Sequence, residues 1–444
     1  MNSRGEFSSR VGFIMAAAGS AVGLGNIWGF PTQVASNGGA AFVLVYLILA
    51  FVLAYPVLMA ELMIGRATGA NVVDALGKVS RSKFGNAVGL WGIVTVSFIL
   101  AFYAIVAGWM LAFAFQALAH ITGLDSLADW LVTFSDSRNI VFCALFMALT
   151  AGIVIGGVSG GIERWSVRLM PTLFLIMALL FAYVMTQPGA TEGLKAYLLP
   201  DFSRVWDANL LISAMGQAFF SMSLGVGTML IYGSYVSHKE KLPSLGASVA
   251  LVDIGVAILA GLLIIPAMYV ALHNGVQIFN DSGALIAGDT LIFTVLPALF
   301  DTMGTMGVMV SLAFFVLMSI AALTSSISML EVPVSCVVEK SRLPRKGAVI
   351  LIAAVIFVIS TLIMLNFEQL FGLVIMLTTE YSQPLLGLML CLFAGWVWRR
   401  NEILQELQRS DDQAEQRLFW KIWPWYVRFV CPVVILLMFY RSVA

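Results

Sequence analysis

The first apolar stretch of this chain contains its own interruption. Residues 12–31 read as a membrane helix, yet Gly19-Ser20-Ala21-Val22-Gly23-Leu24-Gly25-Asn26 lies in the middle of it. Glycines 19, 23 and 25 each weaken a helix by roughly 1 kcal/mol relative to alanine. In hydrocarbon the freed N–H and C=O groups cannot turn to water. Broken backbone at membrane depth is tolerated only where protein buries it or where it lines a cavity. Two half-helices would aim a positive N-terminal end and a negative C-terminal end into one place, which suits a zwitterion and a cation together. A glycine-rich packing face is the competing reading, and this stretch alone does not separate the two.

A second stretch does. Phe220-Ser221-Met222-Ser223-Leu224-Gly225-Val226-Gly227 interrupts another apolar run. Ala21-Val22-Gly23-Leu24-Gly25 and Ser223-Leu224-Gly225-Val226-Gly227 share a small-apolar-Gly-apolar-Gly pattern, one in the first apolar segment and one in the sixth. Paired interrupted helices in corresponding positions of two halves are the sequence mark of a secondary-transporter binding site.

Composition places that pattern in a bilayer. The chain has 444 residues, 60% of them hydrophobic and 11% charged, with a mean hydropathy of +0.96. A span needs about 20 apolar residues. Eleven candidate spans follow: 11–36, 41–65, 87–120, 140–158, 165–186, 209–236, 245–272, 303–338, 347–365, 370–398 and 420–441. Acidic and basic residues balance at 24 each, so no nucleic-acid partner is implied. The four cysteines show no metal-ligand spacing and are expected to be buried packing residues. The first run carries no small-residue cleavage site, so no cleavable leader is expected. With the N-terminus inside, nineteen of the 24 Lys and Arg fall on inner segments, which predicts a cytoplasmic N-terminus and, after eleven spans, an outer C-terminus.

Intramembrane ionisable residues are functional candidates by default. Glu61, Asp253 and Glu331 qualify, with Glu61 expected to bond the exposed backbone of the sixth helix. The three histidines fall at span ends, and no Ser-His-Asp set or metal cluster is visible, so an enzyme is not supported. Residues 273–301, with Asp281, Asp289 and Asp301, are expected outside. Residues 399–418 are charged and helical in pattern, and are expected to form a solvated surface helix inside.

Gly23-Leu24-Gly25-Asn26-Ile27-Trp28-x-Phe30-Pro31 resembles the first-helix signature of the neurotransmitter:sodium symporter family. Asn37-Gly38-Gly39-Ala40-Ala41-Phe42, Glu61-Leu62-Met63-Ile64-Gly65-Arg66, Gly216-Gln217-Ala218-Phe219-Phe220-Ser221 and Leu323-Thr324-Ser325-Ser326 follow in family order. The resemblance implies an all-α integral membrane fold of two inverted five-helix repeats with helices one and six broken, plus an eleventh span. The repeats would be residues 1–186 and 209–398, joined by an outer loop at 187–208. A helical hairpin over the cavity is implied within 273–301, a cytoplasmic loop at 399–419, and the last span at 420–444.

The implied activity is sodium-coupled symport of a neutral, hydrophobic L-amino acid into the cell by alternating access. A proton-coupled transporter through Glu61 or Asp253 is one alternative, and a transporter-fold amino-acid sensor another. No cofactor is implied beyond two co-transported sodium ions; the other partners are the amino acid and the lipid bilayer, in the cell's inner (plasma) membrane. The first sodium site would take Ala21 and Ser221 carbonyls, Asn26 and Ser221 side chains, and Asp253. The second would take Gly19, Val22 and Ala321 carbonyls with the Thr324 and Ser325 hydroxyls. Leu24 and Gly25 N–H groups with Tyr103 would hold the substrate carboxylate. Carbonyls of Ala21, Phe220 and Ser221, with Ser223, would hold the ammonium. Ile99, Phe102, Phe220, Val226, Ser325 and Met329 would receive the side chain, and none is charged. An inner gate is implied at Arg4 and Glu339, with Phe7, Ser234 and Tyr235. The family's outer Arg is replaced by Gly29, and Ile375 falls at its acidic partner's position.

Overall fold

The computed structural model describes residues 5–199, 205–280, 285–286 and 288–443, and they are almost wholly helical. Among the described residues nine helices are long and apolar enough to cross a bilayer unaided, and the bent pair Arg10–Ala21 and Gly25–Ser36, with axes 53° apart, adds a tenth crossing. Helices Ala208–Ser221 and Thr228–Gly233 are each too short to span, and together they supply the eleventh. The architecture is all-α, with the first and sixth spans broken. Five crossings precede the segment that joins the two halves, so the second set of five enters from the other side. That odd number makes the two halves an inverted repeat.

The two breaks are made differently. In the sixth span Ser223, Gly225 and Gly227 have φ of 51°, 87° and 83°, a region that glycine enters without steric cost. The first break uses no positive φ. There glycine serves close approach: a Cβ on Gly23 would run into the Ser325 Oγ and the Tyr103 hydroxyl. Ser9 caps the first helix by accepting from the Gly12 N–H at 2.9 Å, and the Val22 N–H closes it on Ala18 O at 2.6 Å.

Spans three (Lys83–Ile121) and eight (Thr305–Lys340) pack along one another beside the broken pair. A short amphipathic helix, Val72–Ser80, lies on the N-terminal face and buries Val72, Val73, Ala75, Leu76 and Val79.

Two loops depart from expectation. Residues 288–302 form one continuous helical run in place of a hairpin. Chain-turning positions bracket it, at Gly288 with φ 70° and Gly304 with φ 60°, and no glycine lies between them. Asp281 lies outside the described residues. The loop at 399–418 is not simply solvated. Its helix, Arg400–Gln408, buries Ile403, Glu406 and Leu407. Glu406 pairs at 2.6 Å with Arg66, whose side chain is 0% exposed at the end of span two. A buried guanidinium needs a counter-charge, and a residue 340 positions away supplies it.

Candidate functional site between the two broken helices

Backbone groups freed by the first break have side-chain partners. Leu24 N–H donates to the Tyr103 hydroxyl at 3.0 Å, and Gly23 N–H to Asn26 Oδ1 at 3.2 Å. Gln217 Nε2 donates to Gly25 O at 2.6 Å. The sixth break is treated alike. Glu61 accepts from Gly225 N at 2.5 Å and Leu230 N at 3.3 Å, while Gln383 Nε2 donates to Leu224 O at 2.9 Å. The breaks are thus held open by a fixed set of side chains, as membrane depth requires.

Beside them sits an oxygen-rich cluster that is buried throughout. Asn26 Nδ2 donates to Asp253 Oδ1 at 2.7 Å, to Asp253 O at 3.1 Å and to Ser221 Oγ at 2.9 Å. Ser221 Oγ also meets Asp253 Oδ2 at 2.8 Å and the Tyr46 hydroxyl at 3.4 Å. Spans one and six therefore meet one carboxylate of span seven, and span two joins them through Ser221.

A second polar point joins spans one and eight. Ser325 Oγ lies 3.3 Å from Gly19 O, 3.1 Å from Ser20 O and 3.2 Å from Val22 O. One hydroxyl hydrogen cannot serve three acceptors, so carbonyl oxygens outnumber protons here. Its neighbour Thr324 turns back on its own helix, to Ala321 O at 3.0 Å and Ile320 O at 3.2 Å. Ser223 Oγ reaches Ser20 O at 3.3 Å.

Above the breaks, away from the N-terminal face, opens a cavity of about 510 Å³. Leu24, Phe102, Tyr103 and Phe220 line it from among the expected substrate residues. Ile99, Val226, Ser325 and Met329 are buried and off its wall, as are Ala21, Gly25, Ser221 and Ser223. Gly29, Ile375 and Glu380 also line it, together with Gln217 and Gln383. Gly288, at the start of the 288–302 helix, donates to Thr32 Oγ1 at 3.3 Å across the mouth.

The N-terminal face is packed shut. Phe7 stands edge-on to Phe13, Tyr232 and Tyr235 at 5.4, 5.6 and 6.4 Å, and its N–H donates to Tyr235 O at 3.1 Å. The Tyr235 hydroxyl donates to Glu331 at 2.7 Å. Arg345 clasps the same carboxylate at 3.1 and 2.5 Å and also bonds Val154 O. Glu163 accepts from Ser8 N–H at 2.7 Å and hydroxyl at 2.8 Å, and from the Ser9 hydroxyl at 3.0 Å. Of the expected gate residues, Phe7 and Tyr235 meet. Ser234 Oγ turns to Ile231 O at 2.5 Å, Glu339 accepts from Asn71 N and Nδ2 at 3.0 and 2.8 Å, and Arg4 lies outside the described residues.

Sequence reasoning missed Gln217 and Gln383 as backbone partners, and Arg345, Glu163 and Tyr46 altogether. Gln217 stood inside a quoted motif. The others carry no local signal.

Comparison with known proteins points one way. The model of the sodium:neurotransmitter symporter family matches residues 4–133 and 123–444. An uncharacterized sodium-dependent transporter of Bacillus subtilis (strain 168) is 33% identical over 449 residues, covering 98% of this chain and 96% of that protein. A second uncharacterized sodium-dependent transporter, from Haemophilus influenzae, is 31% identical over 462 residues, covering 98% and 97%. Among solved structures, that of MhsT in complex with L-phenylalanine superposes with a TM-score of 0.84 at 36% identity, covering 99% of this chain and all (100%) of that one.

Proposed function

The chain belongs to the sodium:neurotransmitter symporter family, and from that premise we propose that it carries a neutral, apolar L-amino acid inward with sodium. It is a sodium-dependent transporter, not an enzyme. What carries the finer reading is the pairing of two things at one depth. The Leu24 N–H meets Tyr103 at the floor of the 510 Å³ cavity. The Asn26–Ser221–Asp253 cluster lies buried beside it. The first is a neutral donor pair suited to a carboxylate; the second offers hard oxygens suited to sodium. MhsT, a solved relative, is described in complex with L-phenylalanine.

In this reading two sodium ions travel with the substrate. The first takes Asn26, Ser221 and Asp253 with the Ala21 and Ser221 carbonyls. The Asn26 amide now turns its nitrogen to the carboxylate, so it would rotate to offer Oδ1 to the ion. The second takes Ser325 with the Gly19 and Val22 carbonyls, as Thr324 swings away from Ala321. The N-terminus is cytoplasmic, the C-terminus outside, and the cavity is the outer vestibule. The halves are residues 1–186 and 209–398, with the outer loop at 187–208 between them. Alternating access closes the vestibule and parts Phe7 from Tyr235.

The test is a binding screen of the purified chain against the neutral amino acids, in sodium and in choline. An apolar amino acid should bind with an affinity that rises with sodium. Equal binding in choline would remove the sodium coupling, and preference for a charged amino acid would remove the substrate class.

A further inference from the structure

A second cavity, about 450 Å³, lies on the N-terminal face, away from the vestibule. It is wedged between the starts of span seven (Leu242–His273) and span eleven (Leu418–Leu437), against the loop that joins spans ten and eleven. Its lining is chemically mixed: it includes Lys241 and Arg417, the residues immediately before those two helices, and the apolar Pro243, Leu418 and Phe419.

Both cations are more than half exposed, at 54% and 57%, and both lean on one carboxylate, Asp411, at 3.4 and 3.2 Å. Arg10, from the start of span one, reaches the rim by donating to Ser244 at 2.8 Å, and Ser244 lines the cavity. Cations from the starts of three spans therefore gather at this cavity, two of them on Asp411 and the third on Ser244. Below them the surface is greasy. Leu418 is 70% exposed, Ile422 and Trp425 continue the strip one turn apart, and Leu251 faces out from span seven.

A site for a soluble anion needs the cations and not the strip. A lipid-facing helix needs the strip and not the cations. Their meeting at the level where spans enter the membrane fits one kind of molecule. We infer that this cavity holds the headgroup of an anionic phospholipid, its phosphate between Lys241 and Arg417 and its acyl chains along Leu418 and Ile422. Basic pockets between span ends at a membrane surface take acidic headgroups on the same physical ground. Asp411 opposes the phosphate, so the lipid must compete with it for both cations. The same loop carries Glu406 onto buried Arg66, so an occupied site would also fasten the loop against span two.

Native mass spectrometry of the purified full chain tests this, with phosphatidylglycerol and phosphatidylcholine offered together. The wild type should retain the anionic lipid at least about fivefold over the zwitterionic one, since surface cations attract anionic headgroups. Lys241→Ala with Arg417→Ala should erase that preference. Lys346→Ala, elsewhere on the same face, should keep it. Millimolar inorganic phosphate should not displace the lipid. Equal retention of the two lipids by the wild type would overturn the proposal, as would a double variant that keeps its preference or displacement by free phosphate. If the double variant does not fold, Asp411→Asn decides: retention must rise when the competing carboxylate is lost, and an unchanged value overturns the site.

Discussion

Asn26 and Asp253 face each other from spans one and seven, the amide nitrogen donating to the carboxylate at 2.7 Å, 227 residues apart in the chain. Ser221 of the sixth span completes the triangle. Any ion entering here must engage all three elements, two of which are broken helices. Sodium and substrate binding should therefore be linked in both directions. Asn26→Ala is expected to weaken both together. Substrate titrations at several sodium concentrations check this, and a variant that keeps full sodium dependence would contradict the assignment.

Asp253 also brings a fixed carboxylate to the Tyr46–Ser221 corner. In the proposed reading this carboxylate balances the first sodium ion, which leaves no need for a mobile anion. Replacing chloride by gluconate should leave uptake unchanged, and a large fall would show that the carboxylate is not doing this.

The packing at Gly23 leaves no room for a methyl group between Ser325 and Tyr103. Gly23→Ala should abolish substrate binding while Gly152→Ala, where nothing lies within 4 Å of the added carbon, should not. Equal substrate affinities in the two variants would show that the close approach is incidental.

Much of this site is legible in the sequence, for definite reasons. Positive φ calls for glycine at 225 and 227, and close approach of Ser325 and Tyr103 calls for it at 23, so all three announce the broken helices locally. The eleven spans follow from hydrocarbon thickness. Other features are written nowhere near their partners. Arg66 and Glu406 pair across nearly the whole chain, and a charged loop does not reveal which of its faces is buried. Gln217 and Gln383 look like ordinary polar residues until the carbonyls they serve are in place. Val226, expected in the pocket, is off the cavity wall because the turn at Gly225 and Gly227 sets its direction, which residue type alone does not encode.

On the closed face, Glu331 is fully buried and depends on Arg345 and Tyr235. Arg345→Ala strands that carboxylate, at a cost of about 3–5 kcal/mol. A marked fall in thermal stability is expected, largely recovered by adding Glu331→Gln. Failure of the second change to recover it would mean that Arg345 acts through Val154 instead.

Gly29, Ile375 and Glu380 share the vestibule wall. Gly29→Arg should lower uptake by placing a cation over the pocket, and Ile375→Asp should restore part of it. Adding Glu380→Gln to Gly29→Arg should deepen the loss, because Glu380 is the charged residue already on that wall. Uptake that ignores all three changes would take this wall out of the substrate path.

The most direct measurement is uptake of a radiolabelled apolar L-amino acid into proteoliposomes under imposed ion gradients. The account predicts accumulation above the outer concentration with an inward sodium gradient, and none with sodium equal on both sides. Accumulation that follows an inward proton gradient and is indifferent to sodium would contradict it.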